Sequence, residues 1–265
     1  MVIGSGRVKF AWPHSANGSH VQQADFTEDA ILDGRIRIRQ PARGYRVNVD
    51  TMLLAAAVEA EPGMRLLEAG CGVGGALLAV AARSPGVKIV GIERDANIAA
   101  LARENVALNA MFERVEIVTG DVLERSANIG VFDGVFVNPP FDAEGEGSSP
   151  VKARRSAHIA EAPLDAWVAA LADRLRGGAA VTLIHRAAKL GEVLAAMEGR
   201  LGGIEISPIR PQVGAAAKRI LVRARKGSRS PLKLLRGLDL HDSSGAKHTP
   251  EAEEILRGRA VIAWA

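Results

Sequence analysis

The strongest chemical signal in this chain of 265 residues is Leu66–Gly74, which reads LLEAGCGVG. A short apolar run ends in Glu68, and Gly70, Gly72 and Gly74 follow at a spacing of two, with a helical stretch beginning at residue 75. Glycines at such a turn let the backbone take positive φ and let a ligand approach main-chain atoms at the carboxyl end of a strand. The pattern is not the dinucleotide string G-x-G-x-x-G. It is E-x-G-x-G-x-G, and its acid would sit badly beside a pyrophosphate. An acid there suits a cofactor that carries a positive charge and no phosphate. Cys71, the only cysteine, falls between the glycines and reads as a small packed residue lining the same turn.

Two more acids follow at strand ends. Glu93, with Arg94 beside it, closes the next apolar run and is placed to accept hydrogen bonds from two ribose hydroxyls. Asp121, with Val122 beside it, follows VEIVTG and is placed to receive the exocyclic amine of an adenine. The three acids together favour S-adenosylmethionine over NAD. This set of residues resembles the class I S-adenosylmethionine-dependent methyltransferases over about residues 62–224. The resemblance implies that Glu68, Gly70, Cys71, Gly72, Gly74, Glu93, Arg94, Asp121 and Val122 line a cofactor site.

A second constellation, Asn138-Pro139-Pro140-Phe141, ends the fourth strand. Two prolines fix φ and remove two backbone donors, which leaves the Asn138 side chain and the Pro139 carbonyl as acceptors at a rigid strand end. Transfer to an amino group needs such acceptors. The lone pair of a conjugated NH2 is delocalised, and acceptors that bind its N–H groups localise and aim it; positioning and electrostatics then carry the rate. Phe141 offers a face for a planar group. The motif resembles that of methyltransferases acting on adenine N6, guanine N2 or glutamine N5, and does not choose among them. It makes Asn138, Pro139, Pro140 and Phe141 the expected catalytic residues, with Asn138 also touching the cofactor.

The rest of the chain must position these two constellations. Apolar strands at 65–69, 88–92, 115–119, 134–137, 179–185, 204–208 and 219–223 alternate with helices at 75–83, 97–109, 164–175 and 187–200. That alternation predicts a Rossmann-like α/β fold: a seven-stranded, mostly parallel sheet with helices on both faces. The last two strands are joined by a loop too short for a helix, so an antiparallel strand is expected at the sheet edge. Residues 1–25 read as a leader without order, 26–61 as an N-terminal segment and cofactor lid, 62–225 as the methyltransferase domain and 226–265 as a basic extension.

Composition narrows the partners. One cysteine excludes a disulfide framework and a multi-cysteine metal site, and no metal is expected. No apolar run reaches the roughly 18 residues of a membrane helix. The net charge is only +4, but it is unevenly spread. Arg35, Arg37, Arg39, Arg43 and Arg46 fall in one stretch without an acid, and nine basic residues lie between Arg210 and Arg236, again without an acid. With Lys152, Arg154 and Arg155 after the second motif, these stretches fit contacts to the phosphate backbone of structured RNA. Aromatics make up only 4% of the chain, which argues against stacking as the main mode of binding.

Four further stretches extend the resemblance to the bacterial valine-tRNA (adenine-N6)-methyltransferases, across roughly residues 27–257. They are QPARGYRVNVDTMLLA from Gln40, TLIHR from Thr182, AKRILVR from Ala217 and LHDSSGAKHTPE from Leu240. In that family the first stretch packs over the cofactor pocket, which implies Tyr45, Arg46 and Asp50 as lid residues. The resemblance implies a cytoplasmic tRNA-modifying enzyme, with Arg46, Lys152, Arg154, Arg155, Lys218 and Arg219 toward the RNA and the loop 142–163 closing over an extruded base. A glutamine-N5 protein methyltransferase, a guanine-N2 rRNA methyltransferase and a non-catalytic RNA-binding module are the rival readings.

Overall fold

A computed structural model of the chain describes residues 6–8, 26–43, 46–124, 129–140 and 162–264. The first elements are β1 (Gly6–Val8), β2 (Phe26–Ile31), β3 (Ile36–Pro41) and α1 (Val49–Ala57). Strand and helix then alternate through β4 (Arg65–Ala69), α2 (Gly75–Arg83), β5 (Lys88–Glu93), α3 (Ala96–Leu108), β6 (Val115–Thr119), β7 (Phe132–Val137), α4 (Leu164–Asp173), β8 (Leu175–Arg186), α5 (Leu190–Met197), β9 (Leu201–Gln212) and β10 (Arg219–Lys226). The chain closes with β11 (Lys233–Leu234), β12 (Leu238–His241) and α6 (Pro250–Leu256).

Strands β4 to β10 are the seven read from the sequence, in the order β6-β5-β4-β7-β8-β10-β9. The first five are mutually parallel, and β10 runs antiparallel to both β8 and β9. The antiparallel strand therefore stands one place in from the expected edge. The reason is the connection: α5 carries the chain past one strand position, and the short turn after Gln212 returns β10 into that gap. Two short strands of the basic extension, β11 and β12, then pair parallel with β9 and cover part of the edge that a bare strand would expose. Gly6–Val8 pair antiparallel with β2, and the other residues of the expected leader, 1–5 and 9–25, lie outside the described residues.

Alternation along each strand divides the apolar residues between two cores. Leu66, Ile89, Phe136, Ile184 and Leu221 face the core covered by α1, α2, α3 and α6. Their immediate neighbours Leu67, Val90, Val135, Leu183 and Val222 face the core covered by α4 and α5. Among the described residues, no helix is long and apolar enough to cross a membrane.

The hairpin β2–β3 belongs to a separate three-stranded sheet and reaches the main domain through side chains. Asn109 of the residue pair closing α3 accepts from the Arg37 N–H (2.9 Å) and donates to the Arg37 carbonyl (2.7 Å). Asn105, one turn earlier and fully buried, does the same for Arg39 at 2.7 and 2.8 Å. Two carboxamides thus act as a strand edge for β3.

Phe136 is fully buried at the centre of the sheet, two residues before Asn138. Phe136→Ala is expected to cost about 3–5 kcal/mol of unfolding free energy in urea titrations; a loss below about 1 kcal/mol would show that the sheet does not pack as described.

Candidate functional site

The glycine turn folds as its composition requires. Gly70, Gly72 and Gly74 have φ of 64°, 54° and 88°, a region that side chains rarely adopt. Gly74 is the N-cap of α2 and has no side chain to cap it. The missing acceptor comes from the preceding strand: Glu68 Oε2 accepts from the Leu77 N–H at 2.8 Å. Glu93, ending β5, ties the same loop from the side. Its Oε2 accepts from the Gly72 N–H at 3.0 Å and its Oε1 from the Asp95 N–H at 2.9 Å. Cys71 is buried, and its N–H donates to the Ile92 carbonyl. Its thiol lies in space that only a glycine at position 91 leaves open.

Above the turn lies a cleft lined by Val47, Thr51, Glu68, Gly70, Cys71 and Asn138, with Leu54, Val73, Gly75 and Ala76 completing the wall. The two constellations therefore meet in one place. Register accounts for it: β7 runs beside β4 with Val137 opposite Ala69, so the chain after β7 emerges next to Gly70. Asn138 is half-buried, Pro139 buried and Pro140 exposed. Phe141, Tyr45, Lys152, Arg154 and Arg155, together with the loop 142–161, lie outside the described residues.

The cleft suits a cationic cofactor. Its glycines offer bare backbone, and the acids Glu68 and Glu93 stand around the turn. Burial pushes the Glu68 carboxyl well above the usual carboxylate range; the Leu77 N–H bond opposes this and the charge of Glu93 adds to it. A positive group entering the cleft would favour the ionised form of Glu68. Burial raises the Cys71 thiol as well, and the charges of Glu68 and Glu93 reinforce that shift, so Cys71 is a wall residue rather than a nucleophile. Asp121 is half-buried just past β6 and accepts from the Leu123 N–H at 2.9 Å. Arg94 is exposed and Val122 is buried.

Other residues expected at the site have partners within the fold. Asp50 and Arg219, read as lid and RNA contact, pair with each other at 3.0 Å. Arg46 donates to Thr27 Oγ1, the Pro41 carbonyl and Asp29 Oδ2, all within the fold. Lys218 is exposed. The stretches rich in arginine are largely matched by acids from distant positions: Arg37 and Arg39 meet Glu28, Arg210 meets Asp239, Arg223 meets Glu205, Arg225 meets Glu59 and Arg236 meets Glu251. Arg35 binds the carbonyls of Arg257 and Gly258. The local excess of positive charge is therefore smaller at the surface than along the sequence. Trp167 of α4, not foreseen as a site residue, lies over Gly70, where a Cβ would come within 3.5 Å of its ring.

The raised value of Glu68 has a measurable consequence. The folded chain keeps this proton where the unfolded chain has lost it, so its contribution to stability is present at low pH and is lost as pH rises through the folded value. Glu68→Gln cannot ionise and keeps an acceptor for Leu77. Urea midpoints taken from about pH 5 to about pH 8 should fall less steeply in the variant than in the wild type. Parallel curves would contradict a raised Glu68.

Comparison with known proteins agrees with this geometry. The family model of the methyltransferase small domain matches residues 44–163. A tRNA1(Val) (adenine(37)-N6)-methyltransferase of Porphyromonas gingivalis is 28% identical over 196 residues, covering 71% of this chain and 77% of that protein. One of the same name from Aeromonas hydrophila is 27% identical over 184 residues, or 69% of this chain and 77% of that protein. Among solved structures, a predicted O-methyltransferase from Agrobacterium tumefaciens is 31% identical, with a TM-score of 0.70 over 81% of this chain and 98% of that one. With a relative matched over almost its whole length and an acid-lined glycine turn of the required shape, the chain belongs to the methyltransferases that take their methyl group from S-adenosyl-L-methionine.

Proposed function

We propose that this enzyme methylates an exocyclic amino group, and that the acceptor is adenine N6 in tRNA. The observation that carries the reading is Asn138 on the wall of the same cleft as Glu68 and Gly70. A residue there can hold an acceptor amine against the cofactor. The relatives named for adenine-N6 methylation of valine tRNA support the choice of base and RNA. Such an enzyme acts in the bacterial cytoplasm, where its tRNA resides.

When bound, S-adenosyl-L-methionine supplies an electrophilic methyl group on a positively charged sulfur. The chain's residues do the rest. The glycine turn would hold the cofactor by its main chain, and Glu68, Glu93 and Asp121 are the acids at the strand ends that would meet its positive charge and its hydrogen-bond donors. The Asn138 carboxamide and the Pro139 carbonyl accept hydrogen bonds from the two amine N–H groups and direct the nitrogen lone pair into the cleft. No strong base is needed before attack: the nitrogen gains the methyl group as the methyl's bond to sulfur breaks, and the surplus N–H proton then passes to water by way of the acceptors that held it. An adenine stacked in an RNA loop must leave the stack to reach this position. Lys218, just before β10, and Arg43 are exposed cations available to meet the backbone. Phe141, Lys152, Arg154 and Arg155 remain part of the proposal as a stacking face and further phosphate contacts.

Asn138→Ala is expected to lower kcat by about 100-fold or more while tRNA binding persists. The check is transfer of labelled methyl groups to bulk tRNA and to cell protein in parallel, with gel-shift binding of the same tRNA. Label in protein with tRNA unlabelled would replace the reading with glutamine-N5 methylation. Label in neither, with binding intact in the wild type, would favour a binding module.

A further inference from the structure

Outside the methyltransferase domain, the β2–β3 hairpin carries a polar cluster that the proposed chemistry does not use. Its centre is Asp29, only 2% exposed. Asp29 Oδ2 accepts from Thr27 Oγ1 at 2.8 Å, Gln40 Nε2 at 2.7 Å and an Arg46 guanidinium nitrogen at 2.7 Å. The other Arg46 nitrogen donates to Thr27 Oγ1 and to the Pro41 carbonyl, both at 2.9 Å. Gln40 is 1% exposed and turns its remaining oxygen outward along the chain: Oε1 accepts from the Val47 N–H at 2.9 Å.

Val47 is where this cluster meets the cofactor. It lines the cleft, and its Cγ2 occupies space that a Cβ on Gly75 would enter at 2.4 Å. Position 75 is the first residue of α2, directly after the glycine turn. From Val47 the chain passes to the N-cap Asn48 and then to Thr51, another wall residue. The hairpin also reaches the turn from its other side. Asn105, already bound to both main-chain groups of Arg39, uses the same Nδ2 to donate to the Val73 carbonyl at 2.9 Å. Val73 lies within the turn and on the cleft wall. The hairpin thus meets the cofactor cradle on both flanks, directly at Val47 through Gln40 and at Val73 through the shared partner Asn105 of α3.

We infer that the β2–β3 hairpin is a clamp that sets cofactor affinity, with Asp29, Gln40, Arg46 and Asn105 as positioning residues that touch neither cofactor nor acceptor. A buried carboxylate facing a single guanidinium tolerates little displacement, since separating the two leaves a charge in the interior. The Arg46–Asp29 pair therefore holds Val47 over the turn with a stiffness that backbone contacts alone would not provide. The inference stands independently of which acceptor the enzyme uses. It also gives a positioning role to Arg46, which the resemblance implied as a lid residue and an RNA contact.

The test uses the full chain, with S-adenosylhomocysteine as the probe in titration calorimetry. Arg46→Ala should weaken its binding about tenfold and raise KM for S-adenosylmethionine, with kcat held within about twofold. Hydrogen exchange at the peptide containing Val47 should quicken, and tRNA affinity should be unchanged. Arg46→Lys keeps the cation and loses the two-nitrogen fork, so it should recover part of the loss. It decides the matter alone if the truncated variant does not fold. Cofactor affinity equal to wild type in a folded variant would overturn the inference, whether accompanied by a lower Tm, as for a purely structural pair, or by weaker tRNA binding, as for a phosphate contact.

Discussion

The bond from the Leu77 N–H to Glu68 is the joint on which the active end of this enzyme depends. A helix that starts at a glycine has no side chain of its own to satisfy its first turn. Glu68 reaches across from the end of β4 to do so, and this draws strand end and helix start together. Five residues must then reverse the chain in little space, which they do through three left-handed glycines. The same carboxyl that closes the turn faces the cleft, so one side chain serves both the fold and the site. Glu93 repeats the arrangement from β5, fastening the Gly72 amide.

The acceptor side inherits its position from that joint. Because β7 lies beside β4, whatever follows Val137 must emerge next to Gly70. Two consecutive prolines hold the emerging main chain stiff, so Asn138 meets the cleft without support from a helix. Trp167 of α4 stands against Gly70 from the other face of the sheet, packed on the core beneath α4 and α5. Cofactor and acceptor machinery are therefore held by neighbouring strands, while the hairpin that precedes both controls how firmly the cradle is held.

Much of this was legible in the sequence. The limits of β4, α2 and β6 follow from short apolar runs stopped by glycine or polar residues, and the glycine turn follows from the need for positive φ. The seven strands could be counted, but the place of β10 could not, because it depends on how far α5 carries the chain before it returns. Charge was misread for a related reason. A stretch of arginines is unbalanced along the sequence until folding supplies its acids: Arg219 finds Asp50 from 169 positions away, and Arg225 finds Glu59 from 166. The two asparagines that serve β3 as a strand edge, and the Asp29 cluster behind Val47, are equally invisible, since single polar residues in apolar periodic runs carry no pattern. The resemblance implies Tyr45, Arg46 and Asp50 as lid residues, whereas the anchoring of Val47 by Gln40 is visible only in the hydrogen bonds.

The central claim is that the conjugated amine of a nucleic-acid base receives the methyl group. Its most direct test is incubation of the enzyme with unmodified tRNA and methyl-deuterated S-adenosyl-L-methionine, followed by mass spectrometry of the digested nucleosides. The account predicts a deuterated methyl group on adenine N6, dependent on Asn138. Deuterium on a ribose oxygen or a base carbon, or tRNA left unlabelled while protein glutamine is methylated, would contradict it.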